Sequence, residues 1–435
     1  MVQRLSTADT GFEDSFTTLM GKRETQTVRV EEQVAAIIAD VRQRGDTALL
    51  EYTARFDGQA AADSGLVIGS REIEAASGAC EAATLEALNL AATRIRTFHE
   101  RQCPVDDYHV DELGVKLGQR WTAVDAAGLY APGGTASYPS SVLMNAIPAQ
   151  VAGVNRRIMV TPAPQGTLNP LVLAAAHLSS IDELYRVGGA HAIAALAFGT
   201  ETITPVDVIT GPGNAYVAEA KRQVFGAVGI DSIAGPSEIL VVADGHNDPA
   251  WIAADLVAQA EHDVTAQSIL ITDDETFTHL VEAAVAAQLE TLPRRMIAQA
   301  SWSDFGAIIQ VRSLAESTAL VNRLAPEHLS LAIEEPEGYL EHIHHAGAIF
   351  VGRYTPEAVG DYIAGPNHVL PTARAARFSS ALAVTDFMKR SSVIHCSAEN
   401  LSSLAPAVIS LAQAEGLEAH ARSISVRLNN KDGTS

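Results

Sequence analysis

The chain has 435 residues, 47% of them hydrophobic and 19% charged, which is enough apolar material for a large core spread over two to four domains. That composition excludes a disordered chain. Asp and Glu outnumber Lys and Arg by 52 to 30, and the resulting formal charge of −22 repels phosphate backbones and anionic lipid, so neither nucleic acid nor a membrane is an expected partner.

The first hundred residues read as helical. Val34, Ile37, Ile38 and Val41 recur at helical spacing, and Gly45-Asp46 stops that helix and opens another carrying Leu49, Leu50, Thr53 and Phe56. Leu85, Leu88, Ala92, Ile95 and Phe98 mark a further long helix. From about residue 115 short apolar strands alternate with Ala-rich helices. Strands are expected at Arg157–Thr161, Glu183–Val187, Val206–Thr210, Ile239–Ala243, Ser268–Thr272, Ile308–Val311 and Ala348–Val351. Helices are expected at Leu171–Leu178, Ile193–Phe198, Tyr216–Val224, Trp251–His262 and Phe277–Leu289. This alternation predicts βαβ units, mostly parallel sheets and two α/β domains, followed by a shorter helical tail beyond Ser380. Glycine and proline gather at Tyr130-Ala-Pro-Gly-Gly134, Gly211-Pro-Gly-Asn214, Ala234-Gly-Pro-Ser237 and Ala364-Gly-Pro-Asn-His368, and loops at the carboxyl ends of parallel strands are the expected ligand crevice.

Cys80, Cys103 and Cys396 lie far apart with no C-x-x-C spacing, so no disulfide framework is expected and a reducing, cytoplasmic setting is. Met1 to Gly21 lacks the apolar core of a signal peptide, and no apolar run is long enough to span a bilayer. Neither a G-x-G-x-x-G after a strand nor a G-x-x-x-x-G-K-[ST] is present. Gln259 and His262, three apart, share a helix face and could offer a metal two donors, though the pattern is common by chance. His342, His344 and His345 close a helix, a position that favours carbonyl capping over metal binding. Glu327-His328, after Pro326 at a helix-to-strand junction, reads either as a helix-end charge pair or as two separate acid/base groups rather than one hydrogen-bonded dyad.

Several segments together, in order, resemble the histidinol dehydrogenase family over nearly the whole chain. They are Val41-Arg-Gln-Arg-Gly-Asp46, Tyr130-Ala-Pro-Gly-Gly134, Gly211-Pro-Gly-Asn-Ala215, Ala234-Gly-Pro-Ser-Glu238, Gln259-Ala-Glu-His262 and Ala325-Pro-Glu-His-Leu329. Gly360-Asp361, Gly365-Pro-Asn-His-Val-Leu-Pro-Thr372, Asp386-Phe-Met-Lys-Arg390 and Glu415-Gly-Leu-Glu-Ala-His420 continue the match.

The resemblance implies an enzyme that oxidises L-histidinol through L-histidinal to L-histidine, the last steps of histidine biosynthesis, with one Zn2+ per subunit and two NAD per turnover. It implies zinc ligands at Gln259, His262, Asp361 and His420, general bases at Glu327 and His328, and substrate contacts at Ser237, Glu415, His328 and the metal ligands. NAD contacts are implied at Tyr130, Asn214 and His191, the last a departure, since the family has Gln there and an imidazole cannot reproduce both amide functions. The implied fold is α/β: two incomplete Rossmann-like parallel-sheet domains with small helical N- and C-terminal segments. Residues 1–23 would form the N-terminal segment and 24–129 with 237–381 a larger domain carrying most zinc and catalytic residues. Residues 130–236 would form the NAD-binding domain, and 382–435 a helical segment reaching the partner of a homodimer with shared active sites. Two other readings are a same-superfamily dehydrogenase for another amino or hydroxy alcohol and a non-catalytic zinc-binding relative. Glu415 argues against the first, and an intact Glu327-His328 against the second.

Overall fold

The structure, a computed structural model, describes residues 2–22, 30–133 and 138–429. It divides into two compact units, Met1–Gln102 with Val124–Phe387, and Cys103–Ala123 with Met388–Ser435.

The first unit is α/β and rests on two parallel sheets. The six-stranded sheet has the order Gln3–Ser6, Ala307–Gln310, Gln267–Thr272, Glu238–Ala243, His328–Ala332, Ala348–Val351, with every neighbouring pair parallel. The five-stranded sheet has the order Glu183–Arg186, Arg156–Thr161, Ala126–Tyr130, Val208–Thr210, Gly229–Ile230, again parallel throughout. Parallel strands need crossover helices on their faces, so central strands become continuous apolar runs. Glu238–Ala243 and Gln267–Thr272 are accordingly buried at every position. One face of the six-stranded sheet packs on helices Pro249–Ala260, Glu275–Leu289 and Arg295–Asp304 through Leu256, Val281 and Trp302. The other packs on Phe12–Gly21 and Leu314–Leu324 through Phe16 and Val321.

The expected domain division differs from this arrangement. Helices Glu31–Arg44 and Asp46–Phe56 bury Val34, Ile38, Val41 and Leu49 in the core of the five-stranded sheet, and Ala126–Tyr130 is one of its central strands. Much of 24–129 therefore joins the expected NAD-binding half rather than the larger domain. The segment Gln3–Ser6 is no separate appendage but the edge strand beside Ala307–Gln310. The expected boundary at residues 23 and 24 lies outside the described residues, as does Gly134.

A second correction concerns polarity. Tyr130, the turn before His191 and the Gly211–Asn214 loop do follow carboxyl ends of the five-stranded sheet. Ser237 and Glu327, by contrast, immediately precede strands of the six-stranded sheet and His328 opens one, so these residues sit at amino ends. The cause is local: helix Leu314–Leu324 ends at Ala325 in the left-handed region (φ 45°), and Pro326 cannot continue it, so the chain enters the strand within three residues.

The second unit has an antiparallel sheet, in the order Met388–His395, Lys116–Ala123, Asp107–Val110, and two helices, Ala398–Ala414 and Glu418–Asn429. The tail is thus part strand, because Met388–His395 pairs along the full length of Lys116–Ala123. Among the described residues no helix is long and apolar enough to cross a membrane.

Candidate active site

His328 and Glu327 are both buried, with 4% and 5% exposure. One residue orients them. The Glu238 N–H donates to Glu327 Oε2 at 2.8 Å, and His328 Nδ1 lies 2.9 Å from the Glu238 C=O. A carbonyl can only accept, so Nδ1 carries a proton there, and whenever the ring is neutral its lone pair lies on Nε2. Glu327 Oε2 and His328 Nδ1 are 3.6 Å apart, too far for a hydrogen bond, so the pair is two separately anchored groups, as the sequence suggests. Gly347 is required beside them, since a Cβ there would lie 2.6 Å from the Glu327 carbonyl oxygen.

Helix Glu357–Tyr362 supplies two carboxyls one turn apart, Glu357 and Asp361. Glu357 Oε1 is 3.5 Å from His328 Nδ1 and Asp361 Oδ1 is 3.6 Å from His328 Nε2. Potential ligand atoms of His328, Glu357 and Asp361 all lie within 4.8 Å of one another, the one such group among the described residues. Burial lifts Glu327 to about 7, partly offset by His328, and lifts Glu357 to about 8. Burial alone would lower His328, but Glu357, Glu327 and Asp361 together outweigh it and hold the imidazole well above its ordinary range. Asp361 stays below the usual carboxylate range because its histidine neighbours, His328 first, overcome its burial. Glu327 and Glu357 therefore exchange protons around neutrality, where acid–base catalysis needs it.

Gln259 is completely buried, and neither its amide oxygen nor its nitrogen has a partner. An orphaned buried amide is costly unless something binds it. Helix Pro249–Ala260 ends before His262, but the His262 N–H donates to the Gln259 C=O at 3.2 Å, which continues the turn. Burial lowers His262 and keeps its ring neutral, while the nearby Asp361 carboxylate partly opposes this. A neutral imidazole, an ionised carboxylate and an unsatisfied amide suit a borderline cation such as zinc, so Gln259, His262 and Asp361 fit a metal. His368 steadies this wall: its Nδ1 is 2.8 Å from the Asp361 C=O and its Nε2 is 3.2 Å from Ser141 Oγ. Ser237 is half-buried, one residue before Glu238, and its C=O accepts from the Gln267 N–H.

The residues expected to touch a dinucleotide gather on the other sheet. Buried Tyr130 ends its strand, and its hydroxyl accepts from the Gly189 N–H at 3.0 Å. Burial pushes that phenol up to about 12. Asn214 caps helix Ala215–Val224, accepting from the Tyr216 and Val217 N–H groups. His191, in the first turn of helix Gly189–Phe198, packs against Tyr52 and Phe56 at 5.6 and 5.8 Å between ring centroids. Both its nitrogens lack partners, and burial lowers its pKa to about 3.

The first unit thus brings Glu327, His328, His262 and Asp361 into one electrostatic neighbourhood. Glu415 and His420 belong to the second unit, where both are exposed. His342, His344 and His345 join no metal-ligating group among the described residues; the backbone there is tied to Asn322 instead. Sequence reasoning missed Glu357 and His368. The available signals were the four-residue step from Glu357 to Asp361 and the place of His368 within the Gly365–Thr372 motif.

A sheltered base and a sheltered acid at the head of a parallel strand, with metal-type donors carried by helices Pro249–Ala260 and Glu357–Tyr362 and the turn at His262, define an α/β enzyme built for proton transfer. Comparison with known proteins narrows that class. The model of the family described as Histidinol dehydrogenase matches residues 20–428. Histidinol dehydrogenase from Rhodospirillum rubrum is 60% identical over 430 residues, covering 99% of each chain, and that from Brucella abortus is 58% identical over 99% of this chain and 100% of its own. The crystal structure of histidinol dehydrogenase from Elizabethkingia anophelis superposes with a TM-score of 0.94 at 35% identity, covering 99% of both chains. The chain belongs to the histidinol dehydrogenase family and is an oxidoreductase of histidine biosynthesis.

Proposed function

We propose that the enzyme oxidises L-histidinol through L-histidinal to L-histidine, using two NAD and one Zn2+ per subunit, as a homodimer with shared active sites. The observation that carries this reading is the anchoring of two buried bases by the Glu238 backbone in a cluster with Asp361, to which His262 is electrostatically coupled. Gln259, His262 and Asp361 provide three donors, and an exposed His420 from the partner subunit would complete a four-coordinate set. Zinc bound there supplies an anchor for the substrate's imidazole and amine, and NAD is the hydride acceptor.

Alcohol oxidation requires a base for the hydroxyl proton. His328 Nε2 is the ring atom that can accept it, because Nδ1 is committed to Glu238. Glu357 and Glu327, more than Asp361, hold the His328 ring up, and Asp361 would be the one of the three drawn to a bound metal. Aldehyde oxidation requires water to add first, and Glu327, titrating at about 7, suits removal of the water proton. Ser237 and Glu415 orient the substrate, Glu415 by holding its cationic end. Tyr130, Asn214 and His191 line the dinucleotide's path at the carboxyl ends of their strands. Burial of the cluster keeps the reactive aldehyde from bulk water between steps.

The test is NADH yield from a limiting amount of L-histidinol, together with metal removal. Two NADH per histidinol are expected. A chelator should abolish activity and leave the circular dichroism spectrum intact, since a core of this size does not rest on one ion. One NADH per substrate, or full activity without metal, would remove this reading.

A further inference from the structure

Lys221 is one of the largest fully buried side chains, at 1% exposure, and it lies outside the acid–base cluster. Its Nζ pairs with Asp231 Oδ1, itself nearly buried, and donates to the Gly211 C=O at 3.0 Å. Asp231 Oδ2 accepts from the Gly211 N–H at 2.8 Å. One buried ion pair therefore holds both polar groups of a single glycine. Gly211 occupies φ 111°, and a Cβ there would lie 2.1 Å from the Tyr130 carbonyl oxygen, so the pair presses the loop onto the end of the Tyr130 strand. Asp231 is tied down in turn, its N–H donating to the Ile209 C=O. From Asp231 the chain runs to Gly235, whose N–H donates to Thr372 Oγ1 at 2.6 Å, and on to Ser237 and Glu238.

A buried ion pair is a poor stabiliser, because desolvation consumes most of its attraction and apolar residues of equal volume serve as well. What it adds is direction. Two fixed charges select one orientation of the Gly211 peptide groups, which apolar packing would not.

We propose that the Lys221–Asp231 pair is a positioning device for the cofactor half of the site. It pins Gly211-Pro-Gly-Asn214 against Tyr130 and so sets the affinity for NAD, without touching substrate or the two bases. This rests on Asn214 and Tyr130 being dinucleotide contacts.

Lys221→Met and the isosteric Asp231→Asn test it by three readouts: calorimetric NAD binding, KM for histidinol at saturating NAD, and hydrogen exchange of residues 211–215 in the ligand-free enzyme. If a misplaced loop costs what misplaced binding groups usually do, NAD affinity falls about tenfold or more while the histidinol KM stays within about twofold. Exchange at 211–215 should accelerate in both variants. A pair that only stabilises the fold would lower the melting midpoint and leave NAD affinity unchanged well below it. That result, or an equal change in NAD affinity and in the histidinol KM, overturns the proposal. Should Lys221→Met fail to fold, Asp231→Asn carries the comparison. If the wild-type enzyme itself binds no NAD, the cofactor reading falls, and exchange alone decides the pin: unchanged exchange in the folded variant refutes it.

Discussion

Because the N–H and C=O of Glu238 orient Glu327 and His328 independently, the two bases are separable by conservative replacement. Glu327→Gln keeps an oxygen for the Glu238 N–H but cannot take a proton from water. The first hydride transfer should survive and the second slow by about 10²–10⁴-fold, the usual loss for a general base. Rapid-reaction traces should show one NADH formed quickly and one slowly, while His328→Asn depresses the first phase more. Equal slowing of both phases in Glu327→Gln would remove the division of labour. His191 makes a different prediction. Its native pKa of about 3 lies below the ordinary 6.5, so between these values the unfolded chain binds the extra proton. Its neutral burial therefore stabilises the fold above about 6.5, and that contribution is lost as pH falls, by roughly 1.4 kcal/mol per unit. Urea titrations from neutrality down to moderately acid pH should show His191→Gln losing less stability than the parent. Parallel curves would mean the imidazole is not held neutral.

At the scale of elements, the site depends on how closely helix Glu357–Tyr362 approaches the edge strand Ala348–Val351. Gly360 makes that approach possible: a Cβ there would lie 2.4 Å from the Phe350 ring. Gly360→Ala must push the helix away or turn the ring, and Glu357 and Asp361 move with the helix. A displacement of about an ångström costs on the order of 10²-fold in rate where geometry is preorganised. Activity and bound metal should therefore fall together, measured by NADH formation and atomic absorption, with a modest change in melting temperature. Retained metal with lost activity would show that the helix positions the bases but not the ligands. The short turn Ala325–Pro326 plays the corresponding part for the bases, delivering them into the strand without a flexible loop.

At the scale of the whole molecule, the proposed shared site draws on Glu415 and His420, both exposed on the second unit. If they act across a two-fold dimer, two inactive variants should complement each other. His328→Asn and His420→Asn subunits, dissociated and remixed, give mixed dimers with one site bearing both lesions and one bearing neither. Random pairing makes about half the dimers mixed, each with one good site, so activity should recover to roughly a quarter of wild type. Verified mixed dimers that stay inactive would place His420 in its own subunit's site.

How far the sequence reaches follows from these same residues. The buried strands at Arg156–Thr161, Glu238–Ala243 and Gln267–Thr272 are legible because burial on both faces demands an uninterrupted apolar run. Ala126–Tyr130 and His328–Ala332 are not: one is built mostly of small residues and the other opens on a buried imidazole, so neither carries a strand's usual pattern. The edge strand Gln3–Ser6 and the second-unit strands, with exposed polar positions, are fainter still. The motifs alone determined the family and singled out Glu327, His328, Gln259, His262 and Asp361 as site residues. Only the tertiary structure decided that Glu357 and His368 stand beside Asp361, and that helices Glu31–Arg44 and Asp46–Phe56 belong to the five-stranded sheet. It alone joined Lys221 to Asp231 around Gly211. The reason is physical: periodicity and propensity act over a few residues, whereas the field at a buried carboxyl and the partner of a buried amide depend on groups brought together from distant parts of the chain.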